Sequence, residues 1–113
     1  MTALTLTQEQ VNAIVQEART EARKAAEAYR AQYGDRDACG FAWTNIYKVK
    51  GNTKLGKMLK KAGSEQDYSR AFQVWNPSKF PCQNIDTLEA GARAYAAVFK
   101  KHGFKACAGS RLD

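Results

Sequence analysis

Residues from about 8 to 33 predict one long amphipathic helix, and any fold must give that helix a surface to pack against. Thr7 and Gln10 have capping-box spacing, and Gly34 is typical of the position after a helix C-terminus. Apolar residues recur at alternating steps of four and three, the helical period, at Val11, Val15, Ala18, Ala22, Ala25 and Tyr29. This stripe packs against the rest of the domain or against a second copy, so a homodimer through the helix is an open alternative.

After Gly34 the pattern alternates between strands and helices. Residues of Gly40–Val49 separate into two alternating faces, as they do in a strand. A short helix over about 54–62 follows, capped by Asn52 or Thr53. The remaining predicted elements are a strand over about Ser69–Trp75, a helix over about 87–102 opened by the pair Asp86 and Glu89, and a strand over Phe104–Gly109.

This order of elements, αβαβαβ, predicts a small α/β domain. The chain has 113 residues and is 44% hydrophobic, which is typical of a single domain with its own core. Because two strand–helix–strand units follow one another, the connections favour a three-stranded, mostly parallel sheet packed by three helices. We therefore expect one domain over 1–113, in which the N-terminal helix precedes an α/β body from about 38 to 113.

The positive charge of the chain is concentrated in one segment. The net charge is +7, and residues 38–64 alone contain six lysines and no acid. These lysines are Lys48, Lys50, Lys54, Lys57, Lys60 and Lys61. Such a segment neutralises phosphates and releases counterions, which gives salt-sensitive binding that is largely blind to sequence. A solvated surface without a partner is the alternative interpretation.

Aromatic residues of the two predicted strands offer a second means of binding nucleic acid. Phe41, Trp43, Tyr47 and Phe72 stack on bases if one face of the sheet is open. The competing interpretation places these large rings in the core, where aromatic side chains on a central strand usually lie. Whether the Trp43 face of the sheet is covered decides between the two.

The stretch from Gly51 to Lys57 matches the phosphate-binding pattern G-x-x-x-x-G-K up to its last position. The pattern needs a Ser or Thr hydroxyl next, to hold Mg²⁺, and this chain has Met58 there. A thioether is a poor ligand for a hard cation, so a nucleotide hydrolase is not expected. What remains is a basic turn that presents free backbone N–H groups to an anion.

A parallel sheet would gather polar residues at one edge. Ligands bind beyond the C-terminal ends of parallel strands. The residues expected there are Lys48 or Lys50, Asn52, Thr53, Asn76, Ser78, Lys79 and Arg111. Arg111 would hold a phosphate with two hydrogen bonds. This edge is an alternative site, for a small ligand or a nucleotide, and it disperses if the strands alternate in direction.

Catalysis, metal binding and membrane insertion have little support in the sequence. The single histidine, His102, lies in the last turn of a predicted helix, and three cysteines without CxxC spacing do not form a zinc site with it. We expect no metal, no cofactor and no catalytic residues, and reduced thiols. A signal peptide and a membrane span are not expected either, so the predicted location is the cytoplasm.

Four short stretches are distinctive within residues 38–113: Gly40-Phe-Ala-Trp, Trp75-Asn-Pro-Ser78, Glu89-Ala-Gly-Ala-Arg-Ala-Tyr95 and Gly109-Ser-Arg-Leu-Asp113. In these the chain resembles a small uncharacterised protein type of tailed bacteriophages. The resemblance implies a phage-encoded protein that acts in the cytoplasm of the infected bacterium. It implies no active-site residues.

The sequence thus predicts a non-enzymatic binding protein that recognises a phosphate-rich partner, nucleic acid before others, through the segment Lys48–Lys61. One alternative is a small-ligand or nucleotide-binding protein that uses the strand-end edge. The other is an effector whose basic surface docks on an acidic host protein.

Overall fold

The structure is a computed structural model, and it describes residues 6–34, 39–47, 49, 53–62, 65–66, 72–78 and 84–112. Three helices and four strands follow one another along the chain. They are α1 (Gln8–Tyr33), β1 (Gly40–Tyr47), α2 (Lys54–Lys61), β2 (Glu65–Gln66), β3 (Phe72–Trp75), α3 (Ile85–Lys101) and β4 (Lys105–Leu112). No helix in these ranges has both the length and the apolar character that a bilayer crossing requires.

The sheet is antiparallel throughout, in the order β2-β3-β1-β4. Its body is the three strands β3, β1 and β4, and β2 adds two residues at one side. Trp43 in the middle of β1 lies opposite Trp75 on β3 and Gly109 on β4. Because β3 and β4 are both antiparallel to β1, they run in the same direction but are not neighbours.

The prediction of a mostly parallel sheet is therefore wrong, and the length of α2 gives a physical reason. A helix of eight residues is about 12 Å long, whereas a strand of eight residues such as β1 is about 27 Å long. By itself α2 is too short to carry the chain back to the start of β1, which a parallel neighbour requires. The longer helix α3 does return the chain, so β3 and β4 run in the same direction with β1 inserted between them.

α1 and α3 form a layer on one face of the sheet. The capping box of α1 is present: the Thr7 Oγ1 accepts from the Gln10 N–H at 3.2 Å, and the Gln10 Oε1 accepts from the Thr7 N–H at 2.9 Å. The buried residues of α1 are Val11, Ile14, Val15, Ala18, Ala22 and Ala26, and the helix packs mainly against α3. Most of the predicted apolar stripe is thus packed within the chain, although Ala25 and Tyr29 are only half-buried. The homodimer through this helix stays a prediction.

Small residues bring α3 close to the covered face of the sheet. Ala42, Thr44 and Ile46 of β1 point towards the helices and are fully buried. The Thr44 hydroxyl donates to the Ala92 carbonyl oxygen of α3 at 2.8 Å, which ties the two layers together. Phe72 of β3 belongs to the same core. The prediction that Phe72 could stack on a ligand is wrong, because its ring is completely buried.

Several predicted boundaries shift. α3 begins at Ile85 because Asn84 is its N-cap, with the Asn84 Oδ1 accepting from the Thr87 N–H at 3.0 Å; the predicted pair Asp86 and Glu89 therefore lies inside the helix. β1 ends at Tyr47 rather than at residue 49, and β4 extends to Leu112, past the predicted end at Gly109. β2 was not predicted, and the first predicted residues of the second strand, 69–71, lie outside the described residues.

Candidate functional site

The second face of the sheet is not covered by any helix that the structure describes. Strand alternation places ten residues of β1, β3 and β4 on this open face. They are Phe41, Trp43, Asn45, Tyr47, Gln73, Trp75, Lys105, Cys107, Gly109 and Arg111. None of them is fully buried, whereas on the other face the residues of β1 and β3 are buried and only the last part of β4, from Ala108 to Leu112, is not. The Trp43 face is therefore open within the described structure, which was the condition for base stacking.

Three aromatic rings form a cluster at one end of the open face. The Trp43 and Trp75 rings lie across β1 and β3 with centroids 4.8 Å apart and planes inclined at 39°. The Phe41 ring meets Trp75 edge-on, at 6.4 Å and 72°. Phe41 and Trp75 are 41% and 42% exposed. Exposed rings of this size, grouped together, are typical of a binding surface rather than of an ordinary protein exterior.

Gly109 provides the space in which Trp43 lies. A Cβ atom on Gly109 would be 2.6 Å from the Trp43 Nε1 and 2.9 Å from its Cζ2. The indole therefore lies directly against the β4 backbone. With Trp75 packed against it, Trp43 is half-buried, and Trp75 in turn contacts Phe41.

On β1, β3 and β4 the charges of the open face are positive, and the edge strand β2 adds one acidic position, Glu65, opposite Gln73. On β1, β3 and β4 this face carries two cations, Lys105 and Arg111, and no carboxylate. The Arg111 guanidinium lies over the Phe41 ring, with its Cζ 5.7 Å from the centroid, in a cation–π contact. A guanidinium held at an aromatic ring presents its N–H groups to an anion beside the ring.

The opposite end of the open face is polar. At this end the Tyr47 hydroxyl lies 3.3 Å from the Cys107 Sγ. Nearer the middle of the face, the Gln73 Oε1 accepts a hydrogen bond from the Trp75 Nε1 at 3.2 Å. Between the two ends, the Asn45 Oδ1 is buried and has no hydrogen-bond partner among the described residues. The face is thus divided into an aromatic end with Arg111 and a polar end with Lys105.

The predicted lysines of α2 form a separate basic surface. Lys54, Lys57, Lys60 and Lys61 are all exposed, and at 100° per residue they fall within an arc of about 120°. The opposite side of α2 buries Met58 and Leu59 in the core. None of the ion pairs between described residues involves these lysines. We refer to the four as the α2 lysines.

The strand-end edge expected from a parallel sheet is not assembled. α2 and its N-cap Thr53 follow the end of β1, whereas Asn76, Ser78 and Arg111 lie at the end where β1 starts. The two groups are separated by the length of β1, about 20 Å or more. A small ligand cannot contact both.

Two of these edge residues have structural roles. Ser78 is 3% exposed, and its hydroxyl donates to the Asn76 Oδ1 at 3.2 Å. It also packs closely against α3, because a Cβ atom added to Gly91 would lie 2.8 Å from the Ser78 Cβ. Asn76 turns the chain with a φ of 44° and donates its N–H to the Ala42 oxygen at 2.9 Å. Of the remaining predicted site residues, Lys48, Lys50, Asn52 and Lys79 lie outside the described residues.

The phosphate-loop match has no hydroxyl in the required place. Met58 is buried with its side chain in the core. The Thr53 Oγ1 accepts from the Gly56 N–H at 3.1 Å, so this hydroxyl is used as the N-cap of α2. Gly51 lies outside the described residues.

The remaining polar groups connect elements of the fold. Glu89 accepts from the Ser110 hydroxyl and pairs with Arg93, in a shallow cleft that Tyr29 and Asp86 also line. His102 is the C-cap of α3, and its Nε2 lies 2.9 Å from the Glu17 Oε1. In the part of the chain that the structure describes, no three His, Cys, Asp or Glu residues come together as a metal site would need.

Sequence reasoning did not assign Gln73, Trp75, Lys105, Cys107 or Gly109 of the open face to a site. Trp75 and Lys105 come to the open face only through the pairing of β1 with β3 and β4, which the sequence does not specify. Gly109 offers a clearer signal, since a glycine inside a strand marks a place where another group approaches closely.

Comparisons with protein-family models, with curated protein sequences and with solved structures gave no significant match. The resemblance to a small protein type of tailed bacteriophages therefore stays a prediction. What the chain does has to be argued from its own surface.

Proposed function

We propose that this protein is a non-enzymatic nucleic-acid-binding protein. The observation that carries the proposal is the open face of the sheet, on which Phe41, Trp43 and Trp75 form an exposed aromatic cluster beside Arg111. Aromatic rings bind bases by stacking, and cations beside them bind phosphates, which is how many sheet surfaces hold nucleic acid.

The α2 lysines are proposed to add affinity that does not depend on sequence. Four exposed lysines without an acidic residue on their helix attract a phosphate backbone. The acid-free segment Lys48–Lys61 is the same one that dominates the net charge of +7. In this proposal the aromatic end of the sheet binds bases, and α2 contributes electrostatic attraction. The protein would act in the cytoplasm of a bacterium infected by the phage that encodes it.

A salt titration of binding tests the proposal. Fluorescently labelled DNA and RNA oligonucleotides are titrated with protein from about 50 to 200 mM salt, where phosphate contacts weaken steeply. We expect binding at the lower end, and a double variant Lys54→Gln/Lys57→Gln should lower the slope of log K against log salt by about 1 to 2.

Lys24→Gln/Lys100→Gln is the matched control. It removes the same charge from exposed positions on α1 and α3. This control should keep a steeper salt slope than the α2 variant. If no DNA or RNA binds at about 50 mM salt, nucleic acid is not the partner.

A further inference from the structure

Of the three rings in the aromatic cluster, two are available to a ligand. Trp43 is held between Gly109 and Trp75, whereas Phe41 and Trp75 are 41% and 42% exposed. The cluster therefore has two stacking surfaces, one on each strand. Arg111 lies over Phe41 and adds a cation at that surface.

The two stacking surfaces are steeply inclined to each other. The Phe41 and Trp75 planes meet at 72°, with centroids 6.4 Å apart. A base that stacks on a ring lies nearly parallel to it. Two bases stacked on these two rings are therefore inclined as well, and cannot remain stacked on each other. In a duplex, neighbouring bases are parallel and about 3.4 Å apart, so their faces are covered.

We propose that the open face selects unpaired nucleic acid and binds two adjacent bases in a splayed arrangement. One base stacks on Trp75, and the other stacks on Phe41 beside the Arg111 guanidinium. The inference deepens the proposed function and rests on it. The charge of the surface fits this occupant: its two cations on β1, β3 and β4 are Lys105 and Arg111, at the two ends of the face. The one acidic position in register with this face, Glu65, is on the edge strand β2 opposite Gln73, away from the aromatic end.

The strand would cross from the aromatic end towards the polar end. Arg111 lies opposite Phe41 and Lys105 opposite Tyr47, so the two cations are about 20 Å apart along β4. Beyond Tyr47 the chain leads to α2, where the α2 lysines provide further phosphate contacts. Bases and phosphates of one strand are thus bound by different parts of the surface.

Tryptophan fluorescence reports on this site directly, because the chain has two tryptophans and both belong to the cluster. Three ligands of the same length are compared: a single strand, the duplex of that strand with its complement, and an abasic strand with the same number of phosphates as the single strand. Each is tested as DNA, and the first two also as RNA. We expect the single strand to quench fluorescence and to bind at least about fivefold more tightly than the abasic strand.

Substitutions of the two exposed rings distinguish the contribution of base stacking to binding from that of the positive charges. Trp75→Ala and Phe41→Ala should each weaken single-strand binding by about 5- to 100-fold and leave abasic binding and the salt slope unchanged. Tyr33→Ala is the matched control, since Tyr33 is an exposed ring, 52% accessible, on α1. Circular dichroism checks that each variant is folded, and Trp75→Phe should retain most of the affinity because it keeps a ring.

The outcomes distinguish the two proposals. If none of the ligands binds, the proposed function fails. If single strand, duplex and abasic strand bind equally and Trp75→Ala changes nothing, nucleic acid binds elsewhere and the stacking inference is overturned. If the free protein is a dimer that Trp75→Ala dissociates, a second copy occupies the open face and the inference is likewise overturned.

Discussion

The two faces of the sheet differ in a way that reverses the usual relation between size and burial. The covered face of β1 presents Ala42, Thr44 and Ile46 to the helices, and two of these are small. The open face presents Phe41 and Trp43, which are among the largest side chains of the chain. The fold thus buries small side chains on one side of a strand and leaves large rings accessible on the other.

This difference separates stability from recognition. Small residues let α3 approach the sheet, as the hydrogen bond from the Thr44 hydroxyl to the Ala92 carbonyl shows. Large exposed rings add little to folding, since much of their surface remains in water, and a group of them serves a ligand better than a core. Substitutions on the covered face should therefore affect mainly unfolding, and substitutions of the two exposed rings, Phe41 and Trp75, mainly binding.

The largest effect is expected for a matched pair on β3. Phe72→Ala removes a completely buried ring and should lower the free energy of unfolding by about 3–5 kcal/mol. Trp75→Ala removes a larger ring from the same strand but should cost only about 1 kcal/mol, because Trp75 is 42% exposed. Urea denaturation of both variants measures the difference. Equal losses would mean that the open face is as much a core as the covered one.

Gly109→Ala should displace the Trp43 indole from its position against β4. The new Cβ atom would lie 2.6 Å from the Trp43 Nε1, so the indole has to move away from β4. We expect a loss of about 2 kcal/mol in the free energy of unfolding and, in a Trp75→Phe background, a red shift of the Trp43 emission. Cys107→Ala, two residues away on the same face, is the control and should leave the emission unchanged. An unshifted Trp43 spectrum in Gly109→Ala would contradict the close packing of this pair.

Local patterns in the sequence located all three helices, missing only the N-cap Asn84 of α3, and were insufficient for the sheet. Capping and periodicity placed α1 over Gln8–Tyr33 with Thr7 as its cap, because these signals involve residues three or four apart. For α2 they left two candidate caps, Asn52 and Thr53, of which the structure shows Thr53. Strand direction depends on whether α2 is long enough to return the chain, which is a matter of packing between distant segments. The prediction of parallel strands was wrong for this reason. The predicted site at the strand ends was wrong as well, because it required parallel strands.

The candidate site shows the same limit. Alternation divides β1 into two faces, but both contain apolar residues, so the pattern does not say which one the helices cover. The α2 lysines were recognisable from charge alone, since an acid-free run requires no tertiary information. Trp75 and Lys105 could not be grouped with Trp43, because only the register of β1 with its neighbours brings them to one surface.

A smaller effect separates the neighbouring residues Thr44 and Asn45, which lie on opposite faces. Thr44→Val removes the hydroxyl that donates to the Ala92 oxygen and should cost about 1 kcal/mol. Asn45→Val should not lower the free energy of unfolding, because the Asn45 Oδ1 is buried without a partner among the described residues and valine favours strands. Thermal denaturation of the two variants tests this ordering. A cost for Asn45→Val as large as that for Thr44→Val would show that its amide is satisfied in solution.

The smallest effect concerns the charged contact that joins the two covering helices. Glu17 of α1 pairs with Lys101 and His102 of α3, and these hydrogen bonds lower the pKa of the Glu17 carboxyl below its usual value of 4.5. A lowered pKa means that the folded state favours the carboxylate, so this stabilisation is present above pH 4.5 and is lost as the pH falls through the lowered pKa. As the pH is lowered through that range, the free energy of unfolding of Glu17→Gln should therefore fall less steeply than that of the wild type.

Glu27→Gln is the control for this contact, because its ion pair with Arg23 lies within α1 and does not join the two helices. Surface ion pairs contribute little, so both variants should remain close to the wild type near neutral pH. If Glu17→Gln instead destabilises the protein as strongly as Phe72→Ala, the layer over the sheet depends on charge. The apolar contacts of α1 and α3 would then not suffice to keep one face covered and the other open.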